Sequence, residues 1–169
     1  MKRIIILFAL VNFIPGLLIS QSDYSDIESK MAVSKLSFIA GKWEGHGWMY
    51  GQDGQRHEFD QSEKVQFKLD STILLIQGRG NSDGKIIHDA LAIISFNKED
   101  GNYSFQSYLA NGRRGSFRAE LKDEKLYWYP AENIRYIIYI NKEEQWFEIG
   151  EMNRNGNWFQ FFEMTLDKK

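Results

Sequence analysis

The chain has 169 residues and contains no cysteine, two prolines and three histidines. Without cysteine it has no disulfide, no thiolate metal site and no attachment point for the lipid of a bacterial lipoprotein. The histidines are His46, His57 and His88. Because side chains alternate along a strand, His46 faces away from the other two, and we predict no metal site.

Motifs of known catalytic chemistry are also missing. The sequence has no nucleophile elbow, no Walker loop and no pair of histidines at metalloprotease spacing. The segment 78–80, Gly-Arg-Gly, is no dinucleotide fingerprint, because it lacks the strand and helix that phosphate binding requires. We therefore assign no catalytic residue and keep enzymatic activity as an alternative to binding.

The first twenty residues read as a secretory signal. Lys2 and Arg3 precede an apolar run from Ile4 to Ile19, and Ser20 is a small residue before a cut at Gln21. The run is short for a membrane span, although an uncleaved N-terminal anchor is the alternative. We expect an extracytoplasmic protein, periplasmic or secreted, that is not stably inserted in a membrane after cleavage.

Residues 21–169 form one predicted domain. Removing residues 1–20 takes away two basic residues and changes the net charge from −2 to −4, so nucleic acid is not an expected partner. The remaining length suits a single core, and no linker or low-complexity tract divides it. The sequence sets no oligomeric state.

Dipeptides that favour tight turns divide this domain. Asp or Asn precedes Gly at five places, and these pairs supply the positive φ angles of short hairpins. The pairs are Asp53-Gly54, Asp83-Gly84, Asp100-Gly101, Asn111-Gly112 and Asn155-Gly156. Weaker breaks near 70–71, 123–124, 130–133 and 141–144 bring the count to nine connections and ten strands. Before them, apolar residues that include Ile27 and Met31 predict a short helix within 26–39, capping one end.

Ten consecutive strands linked by hairpins predict an all-β fold, a single antiparallel up-and-down meander barrel. Closing the meander removes the exposed sheet edges. A β-sandwich is the competing architecture, but it normally needs longer crossovers than these turns provide. Trp43, Gly45 and Gly47 share one strand face, which puts one bulky plug at the barrel floor beside two empty positions and indicates a cavity.

Gly41-x-Trp43-x-Gly45-x-Gly47, after a short helix and before the meander, resembles the calycin superfamily of lipocalins and their relatives. The same segment resembles bacterial lipocalin-like domains of unknown function and, more distantly, nitrobindin-type haem-binding barrels. These resemblances imply a barrel with an interior pocket. The nitrobindin type holds haem iron through a late-strand histidine, and this chain has none after His88. We therefore expect no cofactor, and haem is kept as a disfavoured alternative.

The second predicted strand identifies polar residues that face the interior. Val65 and Phe67 mark its inner face by their hydrophobicity, and the same parity includes Glu63 and Gln61. An unpaired buried Glu or Gln is costly, so such residues bind one another, water or a ligand. A β-bulge that shifts the register would expose both residues instead.

Histidine and arginine supply two further candidates for the lining. His88 shares its parity with Ala90 and Ala92 and lines the interior near one mouth, unless it is an ordinary core or rim residue. Arg79 ends a strand that is apolar on both faces. On an inward parity it would neutralise Glu63 or hold an acidic ligand; otherwise it lies in a solvated turn.

Late strands supply the remaining candidates. Tyr136 shares parity with Ile138, and a phenol on the inner face offers an apolar body with a polar tip. On the last strand, Gln160 is assigned to the inner face. Glu148 and Glu151 have opposite parity, so only one of them faces inward in a regular strand.

The predicted function is binding of a small, mostly apolar or amphipathic molecule inside the barrel. Aromatic walls with a few polar groups are typical of such pockets. The predicted ligand-binding residues are Trp43, Gln61, Glu63, Arg79, His88, Tyr136 and Gln160. The alternatives are an isomerase-type or hydrolase-type enzyme that uses a buried Glu, and a structural domain with a filled core.

Overall fold

A short helix precedes the strands. A computed structural model describes residues 26–169, so the predicted signal peptide and its cut at Gln21 lie outside the described residues. Helix α1 spans Ile27–Ser34 and begins where the Asp26 side chain accepts a hydrogen bond from the Ser29 amide at 3.1 Å. A 3₁₀ turn follows at Ser37–Ile39. Within residues 26–169, no helix has the length and apolar character that a membrane span requires.

The face of α1 that packs on the barrel differs from the sequence expectation. Ile27 and Met31 are 62% and 65% exposed, whereas Val33 and Leu36 are fully buried. The helix packs through Ser29, Ala32 and Val33. On its exposed side, Lys30 forms an ion pair with Asp70 at 2.9 Å. The prediction that the helix closes one end of the barrel is confirmed. The apolar residues that predicted the helix, Ile27 and Met31, face solvent and do not pack on the barrel.

Ten antiparallel strands follow in chain order, as the turn pattern predicts. They are β1 Gly41–Tyr50, β2 Arg56–Lys68, β3 Ile73–Ser82, β4 Lys85–Asn97, β5 Asn102–Leu109, β6 Arg114–Lys122, β7 Lys125–Ala131, β8 Ile134–Ile140, β9 Trp146–Arg154 and β10 Asn157–Lys168. All five predicted Asp-Gly and Asn-Gly pairs lie between strands with their glycines at positive φ. At these five connections, local turn chemistry therefore decided where the strands end.

The first and last strands pair and close the sheet into a barrel. Trp43 lies opposite Lys168 and Met49 opposite Phe162 in this closing ladder. Gly45 is needed here, because a Cβ at this position would lie 2.8 Å from the Leu166 Cα. Each strand thus has two hydrogen-bonded neighbours, and the sandwich alternative is excluded.

The half of the barrel next to the helix is filled with side chains. Trp43 is 2% exposed, and its Nε1 donates to the Ile39 carbonyl oxygen at 2.9 Å. Its ring contacts Trp146 edge-to-face, with centroids 6.0 Å apart. Tyr103 donates its hydroxyl to the Ala32 carbonyl oxygen at 2.7 Å, which ties the helix to the barrel wall. The interior beyond these tryptophans is less completely filled.

Candidate functional site

The barrel interior contains a cavity in two compartments. The upper compartment, of about 260 Å³, reaches the end opposite the helix, where Met49 and Ile87 are 39% and 51% exposed. The lower compartment, of about 110 Å³, lies above Trp146. The residues that line both compartments are Glu63, His88, Trp128 and Glu148. The two spaces therefore meet at a pair of carboxyl groups.

Glu63 points inward from β2 because that strand alternates regularly. Gln61, Glu63 and Val65 are all buried, and Glu63 is 7% exposed. Gly78 faces it across the β2–β3 ladder, and a Cβ there would lie 2.6 Å from Glu63 Oε1. The missing side chain on β3 therefore leaves the space that the carboxyl group occupies.

The hydrogen bonding of Glu63 is incomplete. Gln61 Nε2 donates to Glu63 Oε1 at 2.6 Å. Glu63 Oε2 is buried and has no hydrogen-bond partner among the residues that the structure describes. Burial raises the pKa of Glu63 to about 7, and the Gln61 hydrogen bond partly opposes this rise. One oxygen of this carboxyl group therefore has no donor within the described protein.

Glu148 is the second carboxyl group and points inward from β9. It is 7% exposed, and its Oε2 accepts from Trp146 Nε1 at 3.3 Å. Burial, and after it the nearby charge of Glu63, raises the pKa of Glu148 to about 8. An ionised Glu63 therefore disfavours ionisation of Glu148, as expected for two acids in one apolar enclosure.

Trp128 presents its N–H edge to this pair. Its ring lies between Phe105 and Tyr136, with centroids 4.5 Å away on each side and nearly parallel planes. Both faces of the indole are therefore covered. Its Nε1 lies close enough to lower the pKa of Glu148, but the geometry is not that of a hydrogen bond, and this N–H is buried without a partner.

No basic side chain offsets the two acids. Among residues 26–169, neither compartment is lined by a lysine or an arginine. His88 lies at the rim, and desolvation lowers its pKa while the nearby Asp89 acts in the opposite direction. The cavity therefore combines aromatic walls with two acids whose charges are not balanced by the protein.

Four of the predicted site residues come together at this cavity. Gln61, Glu63, His88 and Tyr136 all line the upper compartment. Trp43 does not: it lies beneath the cavity, where it supports Trp146 as the floor plug that the sequence indicates. The inward orientation of β2 is thus as predicted, and no bulge exposes Gln61 or Glu63.

The prediction that Arg79 faces inward is wrong. Arg79 lies on the outer face of β3, with its side chain 56% exposed and one guanidinium nitrogen 3.9 Å from Asp89. The inner face of β3 carries Leu74, Ile76 and Gly78 instead. Because β3 begins with apolar residues on both faces, its sequence gave no reliable parity.

The prediction that Gln160 faces inward is also wrong. The β9–β10 ladder shifts register between Gln160 and Phe162, so a β-bulge separates them. Beyond the bulge, Gln160 pairs with Glu151 and donates to Glu163 Oε2 at 2.7 Å on the outer face. Because a bulge inserts one extra residue into the strand, the inward and outward positions are exchanged for all residues beyond it.

Sequence reasoning left Glu148 as one of two alternatives and missed Trp128. The structure selects Glu148, because Glu151 faces outward and pairs with Arg135 at 2.7 Å. The alternation Trp146-x-Glu148-x-Gly150 carried the signal, but the intervening Phe147 and Ile149 obscured it. Trp128 gave no local signal, because its neighbours Tyr127 and Tyr129 are aromatic too.

Another cavity, of about 660 Å³, lies on the outer face of β1, β2 and β10. Its acidic groups have partners: Asp60 contacts His46 Nδ1 at 2.6 Å, and Asp167 accepts from Gln145 at 2.7 Å. This groove is open to solvent, and among the described residues none of its polar side-chain atoms is both buried and unpartnered. The interior cavity is therefore the candidate site.

Haem iron is held by His, Cys, Met or Tyr. Side chains of these types on the interior lining are His88, which lies at the rim on β4, and Met49, Tyr136 and Met164. Residues 26–169 contain no cluster of three or more His, Asp or Glu side chains arranged to hold a metal ion.

Comparisons with known proteins support the architecture. No family profile matches the sequence, and no curated protein matches it. Among solved structures, the chain is similar to the crystal structure of Rv2717c from M. tuberculosis, with a TM-score of 0.59 and 12% sequence identity. The match covers 82% of this chain and 97% of that one. At this identity the likeness extends to the fold, a closed ten-stranded antiparallel barrel.

Proposed function

We propose that this protein binds a small molecule in the interior of its barrel, against the carboxyl groups of Glu63 and Glu148. The observation that carries the proposal is Glu63 Oε2, an acceptor that is buried without a partner on the cavity wall. Leaving such an atom unsatisfied costs about 1–3 kcal/mol. A ligand that donates a hydrogen bond to this oxygen removes that cost, which adds to its binding free energy.

The cavity suits a ligand of about one ring with a short side chain. An apolar cavity of about 150 Å³ accepts a benzene ring, and the upper compartment has about 260 Å³. Its walls include the stacked rings of Phe59 and Phe162, with centroids 5.7 Å apart. A mostly apolar molecule with one polar end matches these walls. The space also argues against the filled-core alternative.

Acid–base catalysis is the second candidate function. Two buried carboxyl groups with pKa values raised to about 7 and about 8 hold and release protons near neutral pH. In that case Glu63 or Glu148 transfers a proton to or from the bound molecule. This alternative shares the binding site and differs in requiring turnover of the ligand.

Native mass spectrometry of the protein purified from its own host tests the proposal. We expect a discrete mass difference between the native and the denatured protein, and loss of that difference in Ile87→Trp, which places a larger side chain at the open end of the upper compartment. Ile86→Trp is the matched control, because Ile86 is similarly exposed and lines neither compartment. Equal native and denatured masses, together with no binding of small aromatic probes, would contradict the proposal.

Export to an extracytoplasmic compartment is part of the same proposal and rests on residues 1–20 of the sequence. N-terminal sequencing of the protein from its host is expected to begin near Gln21. A chain that retains Met1 would contradict cleavage.

A further inference from the structure

We propose that the ligand is an organic ammonium ion, a protonated amine on a small apolar body, bound between Glu63 and Glu148. This inference rests on the proposed function and specifies the chemistry of the molecule that the cavity takes. It draws on the charge of the lining, the free acceptor positions and the shape of the upper compartment.

The charge of the lining favours a cation. Glu63 and Glu148 are both 7% exposed, and among the described residues no lysine or arginine reaches either compartment. The other titratable groups on the lining are His88 from β4 and Tyr136 from β8, and β3 contributes only Ile76 and Gly78. A buried carboxyl group keeps its charge only beside a counter-ion and otherwise holds a proton. The described residues supply no such counter-ion, so a cationic ligand is the available source.

The acceptor positions match an ammonium group. Glu63 Oε1 already accepts from Gln61, and Oε2 is buried without a hydrogen-bond partner among the described residues. Glu148 accepts from Trp146 through Oε2 only, over a long 3.3 Å contact. An ammonium group has three N–H donors and no acceptor. Charge-assisted hydrogen bonds of this kind are about twice as strong as neutral ones.

The indole groups support the ionised form of the pair. Trp146 and Trp128 both lower the pKa of Glu148, because their N–H groups favour its carboxylate. The two indoles therefore offset part of the free energy needed to ionise Glu148 inside the barrel. A cationic ligand offsets the rest, and the proton that the pair of acids held is released to solvent.

The upper compartment separates the charged end of the ligand from its apolar end. The carboxyl groups lie where the two compartments meet, while Phe59, Phe162 and Met164 line the wall of the upper one. Tyr136 contacts Phe162 edge-to-face at 5.5 Å and completes this aromatic wall. An aryl-alkyl amine would therefore place its nitrogen at the carboxyl groups and its ring against these side chains.

Isothermal titration calorimetry with three matched probes tests the assignment. The probes are 2-phenylethylamine, 2-phenylethanol and 3-phenylpropanoate, which share a ring and a two-carbon linker and differ in charge. For the purified protein at pH 7 we expect the amine to bind at least about tenfold more tightly than the alcohol, and the carboxylate not to bind. Protons released when the amine binds are taken up by the buffer, so the measured heat should differ between phosphate and Tris. Binding of the alcohol releases no proton, and its heat should be the same in both buffers.

Substitution of the acids supplies the matched control. Glu63→Gln and Glu148→Gln are each expected to weaken binding of the amine by about tenfold or more and leave binding of the alcohol nearly unchanged. Glu58→Gln makes the same change on the outer face of β2, where the residue is exposed, and should leave both affinities unchanged.

Two results would overturn the ammonium assignment. One is binding of the alcohol as tightly as the amine, which leaves the proposed small-molecule site in place. The other is no binding of the amine to the wild-type protein. If the amine does not bind but the native protein is heavier than the denatured protein, the proposed small-molecule site stands and only the ammonium assignment fails. If the native and denatured masses are equal, both proposals fail.

Discussion

The chemistry of this protein is concentrated in two carboxyl groups and the glycine that makes room for one of them. Glu63 and Glu148 are buried in an aromatic interior, and Gly78 gives Glu63 its space. Burying two carboxyl groups without basic partners costs free energy that apolar side chains at these positions would not cost. Their presence is therefore better explained by binding or chemistry than by folding.

The two acids make stability depend on pH. Their pKa values are about 7 and about 8 in the folded protein, above the value of 4.5 of an ordinary Glu. The folded state therefore binds more protons than the unfolded state between these limits. The stability is fully present below about pH 4.5 and is lost as pH rises through about 7 to 8, on the order of a few kcal/mol.

Urea unfolding of the wild type and two variants at pH 5, 6, 7 and 8 checks this dependence. We expect the free energy of unfolding to fall with pH in the wild type and in Glu58→Gln, and to fall less in Glu63→Gln. The lowered pKa of His88 acts in the opposite direction, but it is common to all three proteins. A wild type whose stability rises from pH 5 to 8, in parallel with Glu63→Gln, would contradict the raised pKa values.

At the scale of elements, the helix and the last strand each depart from a regular pattern. In α1 the buried side chains are Ser29, Ala32 and Val33, and the connection to β1 adds Leu36. In β10 a bulge before Phe162 turns Gln160 to the outer face. Both departures have a tertiary cause: the helix must fit the end of the barrel, and β10 must pair with β9 and β1 at once.

The end of the barrel that α1 covers provides a stability test. We expect Leu36→Ala to lower the free energy of unfolding by about 2–5 kcal/mol, because the side chain is fully buried. Ile27→Ala removes an apolar side chain of the same size that is 62% exposed, and should change stability by less than about 0.5 kcal/mol. Denaturant unfolding measures both. Equal effects would mean that α1 does not pack as described.

At the scale of the whole molecule, closure of the barrel is the dominant feature. The strand order runs through all ten strands and returns from β10 to β1, so the described sheet has no edge strand. The likeness to Rv2717c at 12% identity shows that different sequences reach a barrel of this kind. Closure also creates the enclosed interior in which the carboxyl groups lie.

Hydrogen exchange measures this closure directly. We expect amides throughout β1 and β10 to be as protected as those of β5, because every strand has two neighbours, and to exchange at least about tenfold more slowly than Gln52 and Asp53 in the first hairpin turn. Rapid exchange at alternate amides of β1 would indicate an open sheet. The exposed turn is the internal reference.

Local sequence signals determined the strand boundaries and part of the site. Asp-Gly and Asn-Gly pairs mark turns because they accept the φ angles that a hairpin needs, whatever the rest of the chain does. Strict alternation on β2 likewise identified Gln61 and Glu63 as interior residues, because they share a strand face with the apolar Val65.

Only the tertiary structure decided the rest. The faces of β3 and β10 depended on register and on a bulge, which are set by pairing with neighbouring strands, so Arg79 and Gln160 were assigned to the wrong side. Glu148 and Trp128 join Glu63 only because the sheet closes and brings β9 and β7 across from β2. The sequence by itself determined a ten-stranded barrel with polar residues inside, because turns and alternation are local. The paired acids and their cavity required contacts between distant strands, which no local pattern encodes.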